Sequence, residues 1–105
     1  MTERERQRYE ARAAIFKALG HPTRLYILEQ LQDAAHCVCE LTEMVGADTS
    51  TISKHLTVLR NVGLVRSEKV GTTVYYRLTC ACLKTFLQGA ETLLKMRAEA
   101  DSAAL

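Results

Sequence analysis

One stretch decides the fold of this chain, residues 49–79, which read TSTISKHLTVLRNVGLVRSEKVGTTVYYRLT. Its first part repeats apolar residues at steps of three and four, which predicts a helix over about 50–61 with one buried face. Its second part is two runs rich in β-branched and aromatic residues around Gly71-Thr72, which predicts a hairpin over about 64–79. A helix followed directly by a hairpin is typical of the winged helix-turn-helix arrangement.

Helical patterns flank this stretch on both sides. Residues 3–19 carry an apolar stripe at helical spacing, and Gly20 and Pro22 end that helix and start the next. A short helix is expected near residues 40–45, and residues 81–99 carry another apolar stripe. The apolar stripe on the last helix needs burial, either inside the monomer or in a dimer interface.

Together these elements predict a single domain, residues 1–105, that is mainly α with a small β-hairpin (α+β). We expect the tail after Arg97 to fray. The N-terminus is dense in charges of both signs and has no apolar stretch, so neither a secretion signal nor a membrane anchor is expected. We therefore expect a cytoplasmic protein whose thiols are kept reduced.

The charge distribution favours a surface that meets nucleic acid. The net charge is only +2, but between Thr49 and Ala90 the single acid is Glu68 among six basic residues. Short hydroxyl side chains on the outward helix face would let it enter a major groove, although a solvated basic face is the alternative. The predicted DNA contacts lie on this helix and at the hairpin tip: Thr49, Ser50, Thr51, Ser53, Lys54, His55, Thr57, Arg60, Lys69, Thr72 and Thr73.

The four cysteines form two Cys-x-Cys pairs, Cys37-Val38-Cys39 and Cys80-Ala81-Cys82. Side chains two positions apart share a side only where the backbone is extended, so each pair can chelate one ion at a junction before a helix. Small core hydrophobes, a thiol-disulfide switch joining the two pairs, and a structural zinc site are the alternatives.

Three stretches resemble the ArsR/SmtB family of metal-responsive repressors. They are residues 17–28 (KALGHPTRLYIL), residues 49–65, and residues 37–41 (CVCEL), the last similar to the Cys-Val-Cys box of the family's arsenic and cadmium/lead sensors. The resemblance covers roughly residues 10–95. It implies a homodimer formed through helices of about 3–19 and 81–99. In the absence of inducer this dimer would bind a two-fold symmetric double-stranded DNA operator, and binding of the inducer would release it from the DNA.

The sequence also departs from the family pattern at two places. The third cysteine of the arsenic box is Thr42 here, and residues 83–99 hold no histidine for a zinc site on the last helix. We therefore expect the metal ligands to come from both pairs, Cys37, Cys39, Cys80 and Cys82. Three thiolates suit As(III), the predicted inducer, whereas four suit Cd(II), Pb(II) or Zn(II). No organic cofactor is expected.

In winged helices the short strand before the helix-turn-helix pairs with the second wing strand. Residues 36–38 would then lie beside the end of residues 73–79 and bring the two cysteine pairs together within one subunit; a site shared between subunits is the alternative. Closing this site would move the helix at 40–45 against the last helix and change the spacing of the two recognition helices.

These observations predict a DNA-binding transcriptional repressor and not an enzyme, because no nucleophile, base and orienting group occur in a recognisable set. A winged helix used only for protein contacts is a rival interpretation. The acid-free face of the recognition helix counts against it.

Overall fold

The computed structural model describes residues 1–104, so Leu105, the last residue of the predicted domain, lies outside it. Five helices and three strands follow in the order α1 (Glu3–Leu19), α2 (Pro22–Gln30), β1 (His36–Cys37), α3 (Val38–Val45), α4 (Thr49–Asn61), β2 (Val65–Val70), β3 (Thr73–Leu78) and α5 (Leu83–Ala104). The predicted α+β winged helix-turn-helix fold is confirmed.

Local chemistry sets the bounds of α4 and the wing. The Asp48 carboxylate accepts the N–H of Thr51 at 2.7 Å, which satisfies a backbone donor at the helix start. Gly63 has φ +81, a conformation that glycine adopts without steric cost, and it turns the chain from α4 into β2. Gly71, with φ +64, turns β2 back into β3 at the tip of the wing.

The sheet has three antiparallel strands in the order β1-β3-β2. The predicted pairing of the short first strand with the second wing strand is confirmed, with Cys37 opposite Tyr75. On the other edge of β3, Val65 lies opposite Leu78 and Val70 opposite Thr73. The sheet therefore joins the start of α3 to the base of the wing.

The core lies where α2, α3 and α4 meet. Its fully buried members are branched aliphatic side chains, adjacent in α2 and at helical spacing in α4: Ile27, Leu28, Leu41, Ile52, Leu56 and Leu59. Each buried side chain of this type contributes about 1.5–3 kcal/mol from removal of apolar surface from water. This core fixes α4 against α2, α3 and the first strand of the wing.

In contrast, α1 and α5 leave much of their apolar surface uncovered. Phe16 is 58% exposed and Leu93 is 68% exposed, while Leu83 at the start of α5 is buried. The radius of gyration is 16.5 Å, against about 13 Å for a compact domain of this length. Of the apolar stripe on the last helix, only the first turns are therefore buried inside the monomer.

The ends of α5 differ from the prediction. The helix begins at Leu83 and not at residue 81, because residues 80–82 form a turn in which the Cys80 sulfur accepts the N–H of Cys82 at 3.0 Å. At its other end α5 continues past Arg97, the residue after which fraying is expected, to Ala104. The alanine-rich composition of this tail explains the helix, because alanine has the highest helix propensity.

Candidate nucleic-acid interface and cysteine sites

The predicted DNA contacts lie on α4 and on the wing that follows it. Nine of the eleven residues are exposed, and the other two, His55 and Thr73, are half-buried. Lys54 and Arg60 are exposed on α4, and Lys69 is exposed near the wing tip. These placements leave the cationic side chains in reach of phosphates.

Some of the hydroxyls on this surface already have partners. The Ser50 hydroxyl donates to the Asp48 carboxylate at 3.2 Å, and the Thr57 hydroxyl donates to the Ser53 carbonyl at 2.9 Å. Hydrogen bonds from Thr51 and Ser50 hold the pKa of Asp48 below its usual range, so this acid is ionised beside the basic face. Asp48 acts as the cap of α4, which is why an acid borders the surface.

On the wing, the single acid of the basic stretch is neutralised. Glu68 lies 3.5 Å from Arg77, and both side chains are about half exposed. Such a surface pair contributes at most about 1 kcal/mol to stability. Its electrostatic consequence is that the wing presents Arg66 and Lys69 without a competing free carboxylate.

His55 is the predicted contact whose surroundings differ most from the expectation. Its ring lies 4.5 Å from the ring of His21, and its Nδ1 accepts from the Arg24 guanidinium at 3.3 Å. Arg24 also donates from Nε to the Ala18 carbonyl at 2.6 Å. Partial burial first, and then the nearby charges, lower the pKa of His55. The side chain thus links α4 to α2 and the end of α1, a role that spacing alone did not reveal.

The first cysteine pair lies at the start of α3, which is the first helix of the helix-turn-helix. The buried Cys37 sulfur accepts the Glu40 N–H at 3.3 Å, and the Glu40 carboxylate accepts the Cys37 N–H at 3.2 Å. This reciprocal pair is a capping box in which sulfur replaces the usual hydroxyl. Hydrogen bonds from His36 and Cys37 lower the pKa of Glu40.

Within each pair the sulfurs are in bonding contact. The structure joins Cys37 to Cys39 with a Cα–Cα distance of 5.4 Å, and Cys80 to Cys82 with 5.1 Å. The sulfurs within each pair are therefore adjacent, and the two pairs are not joined to each other. The predicted within-pair proximity is present in both pairs, because each first cysteine has a non-helical backbone before a helix.

The two pairs do not meet within one subunit, which corrects the same-subunit site. Cys37 lies opposite Tyr75 within β3, whereas Cys80 comes two residues after β3 ends at Leu78. Among the residues that the structure describes, no three histidine, cysteine or acidic side chains gather in a metal-binding group. The strand pairing was right, but its antiparallel register places Cys37 beside the middle of β3 and directs the chain after Cys37 away from the end of β3 that leads to Cys80.

The fold and this surface define the class of protein: a winged helix-turn-helix transcription regulator. Residues 21–67 match the family described as bacterial regulatory protein, arsR family. Over residues 1–104, no helix is long and apolar enough to cross a membrane.

Similar proteins agree with this class. The chain is 36% identical to an uncharacterized HTH-type transcriptional regulator of Methanocaldococcus jannaschii, over 83% of this chain and 99% of that protein. It is 35% identical to a cadmium resistance transcriptional regulatory protein CadC homolog of Staphylococcus aureus, over 74% and 65%. The homodimeric winged helix-turn-helix DNA-binding domain of a Mycobacterium bovis protein superposes with a TM-score of 0.83 at 25% identity, over 95% and 93%.

This chain belongs to the arsR family of bacterial regulatory proteins. It is a transcription regulator and not an enzyme.

Proposed function

We propose that this protein is a homodimeric repressor that binds a two-fold symmetric double-stranded DNA operator and leaves it when a soft metal or metalloid binds its cysteines. The acid-free face of α4 and the basic wing, joined by the core to a Cys-x-Cys pair at the start of α3, carry this proposal. Arsenite is the first inducer to test, and Cd(II), Pb(II) and Zn(II) are the alternatives.

The homodimer is supported by the exposed apolar surface of α1 and α5. Phe16 and Phe86 touch edge to face with ring centroids 5.8 Å apart, yet each ring remains about half exposed. Exposed clusters of large apolar side chains mark interaction surfaces in soluble proteins. The homodimeric state of the structurally similar Mycobacterium bovis domain supports the same assembly.

The cysteines in their reduced form supply two thiolates per pair. A trigonal As(III) site needs three, and a closed Cd(II) or Zn(II) site usually needs four, so one pair does not complete either. A donor from the partner subunit would complete such a site, and this is the alternative of a site shared between subunits. A bound thiophilic ion would act directly on α3 through Cys37, because this sulfur caps the helix.

A redox-sensing repressor is the second candidate, because the adjacent sulfurs of each pair are placed to form a disulfide on oxidation. Oxidation of Cys37 by a disulfide or peroxide oxidant would change the sulfur that caps α3 without any metal.

The test is fluorescence anisotropy of the reduced dimer on its own promoter DNA, with arsenite, Cd(II), Pb(II), Zn(II) or oxidised glutathione added separately. We expect tight DNA binding and release by one soft ion, with a C37S/C39S variant that binds DNA but keeps it when the ion is added. Serine retains an N-cap oxygen at position 37, so this variant preserves α3. Release by the oxidant alone would establish the redox alternative, and absence of DNA binding would refute the repressor.

A further inference from the structure

A cavity of about 400 Å³ lies between α1, the turn from α4 into β2, and the start of α5. Most of its wall is apolar and comes from these three elements: Ile15, Phe16, Val62, Leu64, Leu83 and Phe86. A cavity of about 150 Å³ with such a lining is enough to hold benzene. The cavity therefore has room for an apolar group the size of a phenyl ring.

The second cysteine pair belongs to the same cavity. Cys80 and Cys82 both line it, and both are exposed to solvent, so an incoming reagent reaches their sulfurs from outside. The first pair has a different setting, because Cys37 is 5% exposed and its neighbours His36 and Glu40 are hydrogen-bonded at 3.1 Å. The two pairs offer the same thiol chemistry beside different surfaces.

We infer that Cys80 and Cys82 bind a monosubstituted organoarsenic(III) compound, R–As(OH)₂, with its apolar group R in this cavity. One of the three bonds to arsenic is already to carbon, so two thiolates complete its coordination where inorganic As(III) needs three. This inference rests on the proposed function, because it assigns the class of inducer that one subunit can bind alone.

The binding step is a ligand exchange without oxidation or reduction. Each of the two thiols forms an S–As bond and gives its proton to a departing hydroxide, so two molecules of water leave and arsenic stays trivalent. The pair must first be reduced, since a disulfide has no thiol to exchange. The organic group would then lie against Phe16 and Phe86, on the two helices whose exposed faces form the proposed dimer surface.

The experiment compares two double variants that each keep one pair. The C37S/C39S variant retains Cys80 and Cys82, and the C80S/C82S variant retains Cys37 and Cys39. Each reduced full-length protein is titrated with phenylarsine oxide and with methylarsenous acid, with remaining thiols counted by a thiol reagent and the Kd measured by competition with a dithiol.

We expect both reagents to consume two thiols per subunit. At Cys80 and Cys82, phenylarsine oxide should bind at least about tenfold more tightly than the methyl compound, since several additional carbon atoms are buried. At Cys37 and Cys39 the two reagents should differ by less than about threefold. Equal phenyl-to-methyl ratios in the two variants would overturn the inference.

DNA release, followed separately by anisotropy, distinguishes this inference from the proposed function. A phenyl preference at Cys80 and Cys82 in a protein that does not bind DNA would support the organoarsenic site and refute the proposed repressor function. Arsenite-induced DNA release with no phenyl preference would support the proposed repressor function and refute the organoarsenic site.

Discussion

At the scale of single residues, the start of α4 depends on one side chain. The Asp48 carboxylate accepts the Thr51 N–H at 2.7 Å and the Ser50 hydroxyl at 3.2 Å. Both donors belong to the first turn of the proposed recognition helix. An acid in this place also interacts favourably with the positive end of the helix dipole.

Asp48→Ala should lower the thermal stability by a few degrees, because a first-turn N–H loses its acceptor. Operator affinity should also fall, since the first turn of α4 frays. Thermal unfolding and anisotropy measure the two effects. Asp48→Asn is the matched control, because asparagine caps helices about as well as aspartate. Equal loss in both variants would contradict a capping role.

His55 makes the stability depend on pH. Partial burial, followed by the proximity of His21 and Arg24, lowers the pKa of His55 from its usual 6.5. The unfolded chain therefore binds the proton more readily than the folded protein. The stabilising contribution of neutral His55 is complete above pH 6.5 and is lost as the pH falls through its lower folded pKa.

The melting temperature should accordingly fall between about pH 7 and pH 5. Glu40 and Asp48 respond at lower pH, because both pKa values lie below the ordinary carboxyl range. The measurement is a series of thermal melts for the parent and for His55→Gln. The variant should show a flatter profile over this interval, and identical slopes would exclude His55 as the cause.

At the scale of elements, Arg24 connects three helices. From α2 it donates to the Ala18 carbonyl near the end of α1 and to His55 in the middle of α4. One planar guanidinium reaches both partners because its donors point in several fixed directions. A displacement of α1 at the proposed dimer surface would therefore be transmitted through Arg24 to α4, the proposed recognition helix.

Arg24→Lys should weaken operator binding by roughly tenfold, because a lysine ammonium does not reproduce both hydrogen bonds. The dependence of affinity on salt should stay unchanged, since we place Arg24 behind the DNA surface and not on a phosphate. Anisotropy at several salt concentrations tests this, with Arg8→Lys on the exposed face of α1 as the control. A salt slope reduced by about one would mean that Arg24 contacts a phosphate.

At the scale of the whole molecule, the monomer is extended and keeps an apolar surface on α1 and α5 that its own core does not cover. The uncovered side chains on α5 include Phe86, Leu93 and Leu94, each about half exposed or more. Two recognition helices must be held about 34 Å apart to read adjacent half-sites of one operator. A dimer formed through α1 and α5 would bury this apolar surface and, by the same contacts, fix the distance between the two recognition helices.

Leu93→Glu should dissociate the proposed dimer, because it places a charge in the middle of the apolar surface. Sedimentation equilibrium should report a monomer, and operator affinity should fall by at least about a hundredfold as the second half-site contact is lost. Gln88→Glu is the control, since it makes the same charge change on the side of α5 that faces α2. A Leu93→Glu protein that remains dimeric would place the interface elsewhere.

The sequence by itself determined the local elements: the helix α4 from its apolar spacing, the wing from β-branched runs around Gly71, and the closeness of the two cysteines within each Cys-x-Cys pair. Those features depend on neighbours within a few residues. Only the tertiary structure decided that Cys37 faces Tyr75, that His55 contacts Arg24, and that Cys80 and Cys82 line an apolar cavity. Each of these contacts joins residues far apart in the chain, and their register is set by packing of side chains on both faces of a sheet or helix.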